Sequence, residues 1–319
     1  MPEPEVVASR YARRQLWTAA IKWPMYAVAV MPVLLAAGWR FGRFEPVRLD
    51  QLLLFLLAAV LLLAWENLAN DVFDADTGVD THGKPHSLVN LTGRRDRVAA
   101  LANGCLLLGL ALMALVAWRS SAAVLLLVLA CCALGYLYQG PPFRLGYRGL
   151  GEPLCWLAFG PLATAAGLLA LAPAATPAAG PAVPWAEALE LGSGAALATT
   201  LVLFCSHFHQ VEEDAAHGKR SPVVHLGPAA AAALVPWFIA ATLAFQWAPV
   251  LVAPAAQRWP LTALLGAIGL PPARRLIRLL SRHHHEPERI SGSKFLALRF
   301  QALNGLGLAA GLALGRWLG

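Results

Sequence analysis

Charged side chains are scarce in this chain. Its 319 residues include 25 Lys and Arg and 18 Asp and Glu, which together make 13% of the sequence. Soluble domains usually carry about 25% charged residues, and the hydrophobic share here is 58%. So few polar side chains cannot cover a surface in water, which excludes an ordinary soluble globule and a disordered chain. The net charge of +7 is therefore not read as a sign of nucleic-acid binding.

Several short motifs that identify common protein classes are also missing. All five cysteines lie in apolar stretches without a CxxC pair, so they are predicted to be small buried hydrophobic residues. The charged N-terminus lacks the short apolar core of a cleaved signal peptide. No GxxxxGK[ST], GxGxxG or HExxH occurs, which argues against a nucleotide-binding enzyme and a zinc protease.

Long hydrophobic runs dominate what is present. A membrane-spanning helix needs about 20 mostly apolar residues. Nine such runs can be marked: 17–39, 51–70, 98–117, 121–140, 150–172, 188–208, 229–253, 259–280 and 295–318. We therefore predict an all-α fold, a polytopic membrane protein formed by a bundle of nine transmembrane helices, with residues 1–319 as a single domain.

Lysines and arginines are distributed unevenly between the predicted loops. Most of them share one side with the N-terminus, including Arg94, Arg144, Lys219 and Arg282. Because cytoplasmic loops carry an excess of Lys and Arg, the pattern predicts a cytoplasmic N-terminus; it fits a plasma membrane and a thylakoid membrane equally.

Acidic residues cluster in two short windows on that same side. The first, 65–93, reads WENLANDVFDADTGVDTHGKPHSLVNLTG. It places two amides and two carboxylates at helical spacings of three and four residues: Asn67, Asn70, Asp71 and Asp74. Gly78 then allows a turn from which Asp80 could fold back. Carboxylates at a membrane boundary are costly unless they are paired or bind metal. The window predicts a Mg²⁺ site, because Mg²⁺ is held by one or two carboxylates plus substrate phosphates; a solvated helix end is the alternative.

The second window, 207–227, reads HFHQVEEDAAHGKRSPVVHLG. Gln210 and Asp214 share a helix face, and Lys219 and Arg220 follow. A carboxylate followed by cations suits a metal–diphosphate group, because the cations bind the remaining phosphate oxygens. A mixed-charge cytoplasmic loop remains the alternative.

A third segment of interest, 136–152, lies between the two windows. It reads YLYQGPPFRLGYRGLGE and carries Tyr138, Arg144, Tyr147 and Arg148 in a Pro- and Gly-rich turn. Phosphate binding and a plain loop between helices explain this segment equally well.

These two motifs, one after the second span and one after the sixth, resemble the UbiA superfamily of intramembrane aromatic prenyltransferases. The first motif of that family is NxxxDxxxD, which Asn70 and Asp74 match, whereas Gly78 stands at the third position and Asp80 supplies the next acid. The form NDxFDxxxGxD resembles the branch that prenylates 1,4-dihydroxy-2-naphthoate, and KPHSLVNLTG and HQVEED resemble its cyanobacterial members. The second family motif is commonly DxxxD, and Gln210 takes its first position here.

The resemblance implies a Mg²⁺-dependent transfer of a phytyl or other polyprenyl group from its diphosphate to 1,4-dihydroxy-2-naphthoate, with loss of CO₂ and diphosphate. It implies that Asp71, Asp74 and Asp214 hold Mg²⁺ and that Asp80 also serves catalysis. The implied substrate-binding residues are Lys22, Asn67, Asn70, Tyr138, Arg144, Arg148, Gln210, Lys219 and Arg220. The prenyl tail is expected to lie in a groove that opens to membrane lipid.

Two other interpretations stay open at this point. Homogentisate, 4-hydroxybenzoate and chlorophyllide prenyltransferases belong to the same family, but they more often keep an acid at the position of Gly78. A transporter is the alternative from another class. Transporters usually have broken helices and a site near the bilayer midplane, whereas the two acidic windows here lie at helix ends on one side.

Overall fold

The computed structural model describes residues 15–17, 19–78, 86–173, 182–254 and 257–318. Within these ranges nine principal helices follow one another and no strand occurs, which confirms the all-α prediction. They are α1 (Tyr26–Gly42), α2 (Leu49–Thr77), α3 (Arg95–Trp118), α4 (Ala122–Gln139), α5 (Gly151–Leu171), α6 (Trp185–Ser206), α7 (Pro228–Leu251), α8 (Leu270–His283) and α9 (Ser293–Leu318). Short helices Leu88–Thr92, Val211–Ala216 and Pro222–Leu226 lie in the connections.

Eight of the nine described helices are long and apolar enough to cross a membrane, and α8 is the exception. The interval predicted as the eighth span is divided into a 3₁₀ helix, Leu261–Gly269, and α8. Pro260, Gly269 and Pro271 mark the interruptions. The two pieces are roughly 18 Å and 21 Å long along their axes. Together they are long enough to cross the hydrocarbon core of a membrane. The count of nine spans stays a prediction.

The helices pack around α6, the most buried of the eight candidate spans. α6 contacts α7 and α9, α9 contacts α1, and α2 packs along α3. Large apolar side chains such as Leu53, Leu107 and Trp237 remain exposed on the outside. An apolar exterior of this extent indicates contact with lipid, and the chain is an integral, multi-pass membrane protein.

Close backbone contact joins α1 to α9. Gly38 and Gly42, four residues apart on α1, face the carbonyl oxygens of Ala309 and Leu312, and a Cβ atom on either glycine would collide with them. Small residues at this spacing let membrane helices approach closely. The contact fixes α1, and Lys22, which precedes α1 in the chain, reaches the site described below.

The first acidic motif is helical up to Thr77. α2 continues to Thr77, seven residues beyond the predicted end at 70, and Gly78 ends it with a φ of 76°. This left-handed conformation favours glycine because it has no Cβ. The predicted turn at Gly78 is confirmed, and the extension of α2 brings Asp71 and Asp74 onto a rigid helix.

Candidate functional site

The two acidic motifs lie at the same end of the bundle. Four segments meet there: the segment just before α1, the end of α2, the α4–α5 connection and the α6–α7 connection. Each contributes a charged or hydrogen-bonding side chain. The sequence predicted that the motifs would share one side of the membrane, and the contacts below bring them together.

Asp71 is buried and fully engaged by the protein. Its Oδ1 accepts a hydrogen bond from the Lys22 ammonium at 2.9 Å, and its Oδ2 accepts one from the backbone N–H of Leu88 at 3.0 Å. Lys22 therefore balances the Asp71 charge directly. The same carboxylate ties the short helix Leu88–Thr92 to α2.

Asp74 has no solvent exposure and faces different neighbours. Its Oδ1 accepts hydrogen bonds from the side-chain amide of Gln139, at the end of α4, and from the phenol of Tyr147 at 3.2 Å. Burial and the Asp74 carboxylate raise the pKa of Tyr147 above its ordinary range. Tyr147 therefore stays protonated and serves as a donor to Asp74.

Asp214 carries the second motif, on the short helix Val211–Ala216, and it too has no solvent exposure. The Lys219 ammonium lies 3.3 Å from its Oδ1, and Nδ1 of His207 lies 3.7 Å from its Oδ2. The other nitrogen of His207 lies 3.6 Å from the carboxyl group of Glu152. In the part of the chain that the structure describes, neither Asp214 oxygen accepts a hydrogen bond of good geometry. Both oxygens can therefore accept a further cation or donor.

Tyr147 connects the two motifs. Its phenol donates a hydrogen bond to Asp74. Its ring centroid lies 5.8 Å from the Lys219 ammonium and 5.8 Å from the Arg144 guanidinium. Cations at this distance over an aromatic face are attracted by its quadrupole. The backbone N–H of Arg220 donates to the Tyr147 carbonyl at 2.8 Å. The α4–α5 and α6–α7 connections are therefore held together directly above Asp74.

The remaining predicted residues fall into two groups. Asn70, Tyr138 and Arg144 are half-buried at the site, and Oδ1 of Asn70 and Nε of Arg144 are buried without a hydrogen bond in the described ranges. Gln210 is buried immediately before the helix that carries Asp214.

The second group comprises Asn67, Arg148, Arg220 and Asp80. Asn67 donates to the Leu63 carbonyl of its own helix at 3.1 Å. Arg148 and Arg220 are exposed at the rim. Asp80 lies outside the described residues. The catalytic and binding roles assigned to all of these residues stay predictions.

The carboxylates of the site can hold a metal ion only with help from other ligands. Among the described residues, no group of three or more His, Cys, Asp or Glu side chains is close enough to hold one ion. Mg²⁺ needs only one or two carboxylates when substrate phosphates complete its shell. Asp214, with two buried oxygens open to a partner, fits that requirement. Asp74 accepts a hydrogen bond from Tyr147, whose ring contacts Lys219, the cation beside Asp214. Asp71, Asp74 and Asp214 remain the predicted ligands.

Sequence reasoning missed several residues that form the site. Gln139, His207 and Glu152 were not predicted as site residues, and Tyr147 was noted only as part of a turn. Gln139 offered one signal, because it is a polar residue at the end of an otherwise apolar run. His207 offered none, since one partner, Glu152, lies on α5, and the seven-residue spacing from His207 to its other partner, Asp214, predicts no contact.

The fold and the site define the class of protein: an integral membrane protein with a buried site of acidic and cationic side chains at one end of an apolar helix bundle. Residues 23–298 match the pattern of the UbiA prenyltransferase family. The chain therefore belongs to the UbiA prenyltransferase family and is a prenyltransferase, as the motifs predicted.

Two relatives resemble the chain over nearly its whole length. It is 40% identical over 301 residues to the 2-carboxy-1,4-naphthoquinone phytyltransferase of Synechocystis sp., with 94% of each chain covered. It is 37% identical over 310 residues to the chloroplastic 2-carboxy-1,4-naphthoquinone phytyltransferase of Arabidopsis thaliana, covering 95% of this chain and 78% of that one.

Two solved structures share the fold. One is a digeranylgeranylglyceryl phosphate synthase, with a TM-score of 0.56, 16% identity, and coverage of 95% of this chain and 99% of that one. The other is a UbiA homolog from Archaeoglobus fulgidus bound to DMAPP and Mg²⁺, with a TM-score of 0.54, 15% identity, and coverage of 92% and 98%. At these identities the likeness concerns the fold alone.

Proposed function

We propose that this protein transfers a phytyl or other polyprenyl group from its diphosphate to 1,4-dihydroxy-2-naphthoate, with release of diphosphate and CO₂. The nearly full-length similarity to two proteins named 2-carboxy-1,4-naphthoquinone phytyltransferase supports this acceptor. The structural observation that carries the proposal is Asp214. Its buried carboxylate has oxygens open to a cation, and Lys219 lies beside it.

The cations of the site suit a diphosphate leaving group. Lys219 and Arg144 flank the Tyr147 ring, and Lys22 lies at Asp71. Negative charge accumulates on the diphosphate as its bond to the prenyl carbon breaks, and positioned cations stabilise that charge. Charge-assisted bonds from Lys and Arg to phosphate oxygens are strong. Arg148 and Arg220, exposed at the rim, would attract the substrate as it enters.

Asp71, Asp74 and Asp214 are the residues that would hold Mg²⁺. When bound, the ion supplies positive charge that stabilises the departing diphosphate. Gln210, a neutral residue at the first position of the second motif, contributes an amide where the family commonly has an aspartate. Tyr147 and Gln139 orient Asp74 through their hydrogen bonds.

The apolar bundle protects the reacting prenyl group. Loss of diphosphate leaves an allylic cation, which water would destroy, and a dry, apolar site suppresses that side reaction. The electron-rich naphthoate ring then attacks the cation, and the prenyl group replaces the carboxylate. The tail lies between helices and opens to membrane lipid. The site faces the cytoplasm, as the distribution of basic residues predicts.

A product assay tests the proposal. Purified protein in detergent receives Mg²⁺, 1,4-dihydroxy-2-naphthoate, and either phytyl or geranylgeranyl diphosphate. We expect a prenylated naphthoquinol that is lost with Asp74→Ala and retained with Asp76→Asn. Asp76 is a matched control because it lies on the same helix but pairs with Arg95 at the surface, and surface ion pairs contribute little. Product formed only from homogentisate or 4-hydroxybenzoate would overturn the naphthoate acceptor and leave the prenyl transfer intact.

A further inference from the structure

A strongly basic helix face lies on the outside of the bundle. α8 carries four arginines, and all of them are exposed: Arg274, Arg275, Arg278 and Arg282. Successive residues of a helix are about 100° apart around its axis, which places the four side chains within an arc of about 100°. They extend about 12 Å along the axis. These four residues form one continuous surface, the basic stripe.

The opposite face of α8 is buried in the bundle. Ala273, Leu276 and Leu280 have almost no solvent exposure and belong to one apolar cluster with Ile239 of α7 and Phe300 of α9. A helix with one apolar and one charged face turns the apolar face to the core. Packing of this face therefore fixes the rotation of α8 and directs the basic stripe outwards.

The basic stripe has no acidic partner in the part of the chain that the structure describes. None of its guanidinium groups forms an ion pair with a described carboxylate. Glu286, the acid that follows α8, is hydrogen-bonded to His283 at 2.8 Å and paired with Arg289 at 2.9 Å. By contrast, the exposed Arg95 pairs with Asp76. Like charges four residues apart on a helix destabilise it, so an anionic partner would relieve the repulsion within the stripe.

The residues before α8 place the basic stripe at the edge of the membrane. The 3₁₀ helix Leu261–Gly269 exposes three large apolar side chains: Leu261, Leu265 and Ile268. The exterior of this interval therefore changes from apolar to basic between Ile268 and Arg274. Arginine is costly inside hydrocarbon and extends its charged end towards the polar headgroups. The change thus indicates the boundary between lipid tails and headgroups.

Charge and position together select the occupant of the basic stripe. A free anion in water would be attracted only by exposed charges, which salt screens, whereas the bilayer itself keeps a lipid headgroup beside the stripe. Clusters of four or more basic residues on an amphipathic helix at a membrane surface favour anionic lipids. We propose that the basic stripe binds the phosphate groups of anionic membrane lipids such as phosphatidylglycerol.

This surface is separate from the proposed prenyl transfer. α8 packs against α7, α9 and the 3₁₀ helix Leu261–Gly269, and none of these carries a residue assigned to the acidic site. Loss of lipid binding at the stripe would therefore leave the chemistry of the site intact. The inference holds whichever acceptor the protein prenylates.

Native mass spectrometry of the full chain in detergent tests the proposal, with phosphatidylglycerol and phosphatidylcholine as probes. The variant Arg278→Gln/Arg282→Gln is compared with Arg94→Gln/Arg97→Gln, which removes two exposed arginines that flank the exposed Asp96. We expect the wild type to bind phosphatidylglycerol at least fivefold more tightly than phosphatidylcholine. The α8 variant should bind phosphatidylglycerol about tenfold more weakly than the wild type, because each basic residue near an anionic surface adds to the attraction. The control should keep the wild-type preference.

A charge-conserving variant separates the loss of charge from any loss of packing. Arg278→Lys/Arg282→Lys should bind phosphatidylglycerol within about threefold of the wild type. Equal binding of the two lipids by the wild type, or an equal loss in the α8 glutamine variant and the control, would overturn the proposal. Displacement of the bound lipid by phytyl diphosphate would assign the stripe to substrate capture and also overturn it. Product formation by the α8 glutamine variant in detergent should match the wild type.

Discussion

The phenol of Tyr147 donates a hydrogen bond to Oδ1 of Asp74 over 3.2 Å, joining the α4–α5 connection to the end of α2. The ammonium of Lys219 lies 5.8 Å from the centroid of the same ring and 3.3 Å from Oδ1 of Asp214. One tyrosine therefore links two acidic motifs that are far apart in the sequence. This link makes the relative placement of Asp74 and Asp214 depend on Tyr147.

Replacing Tyr147 by Phe tests that dependence. The ring and its contact with Lys219 remain, but the hydrogen bond to Asp74 is lost. A hydrogen bond to a charged group contributes about 1.5–3 kcal/mol, so kcat/KM for the prenyl diphosphate should fall about 10- to 100-fold. Steady-state kinetics measures this effect. Tyr26→Phe, on α1, is the matched control, and an equal loss in both variants would contradict a special role for Tyr147.

Lys219 is expected to stabilise the fold as well as bind substrate. Lys219 is 4% exposed and Asp214 is 0% exposed. Lys219→Met would leave a buried carboxylate without its cation, which typically costs about 3–5 kcal/mol. We expect a clear drop in the thermal unfolding temperature in detergent. Adding Asp214→Asn removes the unpaired buried carboxylate. The double variant Lys219→Met/Asp214→Asn should therefore regain stability while its activity stays lost. A double variant no more stable than Lys219→Met would argue against the pairing.

The orientation of the site can be tested by thiol labelling. In a chain whose native cysteines are replaced, Glu212→Cys places a thiol in the exposed α6–α7 connection, and Arg119→Cys places one in the turn between α3 and α4. With a membrane-impermeant maleimide on intact bacterial cells, Arg119→Cys should react at once. Glu212→Cys should react only after the membrane is opened. The reverse pattern would show that the site faces away from the cytoplasm.

Most of the helical architecture was predictable because apolar runs of this length have few alternatives to spanning a membrane. The turn at Gly78 was predictable for a similar reason, since glycine readily adopts the left-handed conformation that ends α2. The full length of α2 was predicted only in part: the apolar run ends near residue 70, and only the spacing of Asn67, Asn70, Asp71 and Asp74 indicated that the helix continues. The 3₁₀ helix Leu261–Gly269 also escaped prediction, since its composition is that of a span.

The candidate site was predictable only in part. Spacing indicated Asp71, Asp74 and Asp214, because carboxylates at a helix end are conspicuous in an apolar chain. The partner of each acid depends on tertiary packing. Asp71 pairs with Lys22, and Asp74 with Gln139 and Tyr147, across helices that sequence alone does not place side by side.

The most direct test of the central claim uses 1,4-dihydroxy-2-naphthoate labelled with ¹³C in its carboxyl group. Purified protein, Mg²⁺ and phytyl diphosphate are incubated, and labelled CO₂ and prenylated product are measured together by mass spectrometry. The account predicts equal amounts of both, with neither formed after chelation of Mg²⁺ or in Asp74→Ala. A prenylated product that keeps the label, or the absence of any prenylated product from folded protein, would contradict it.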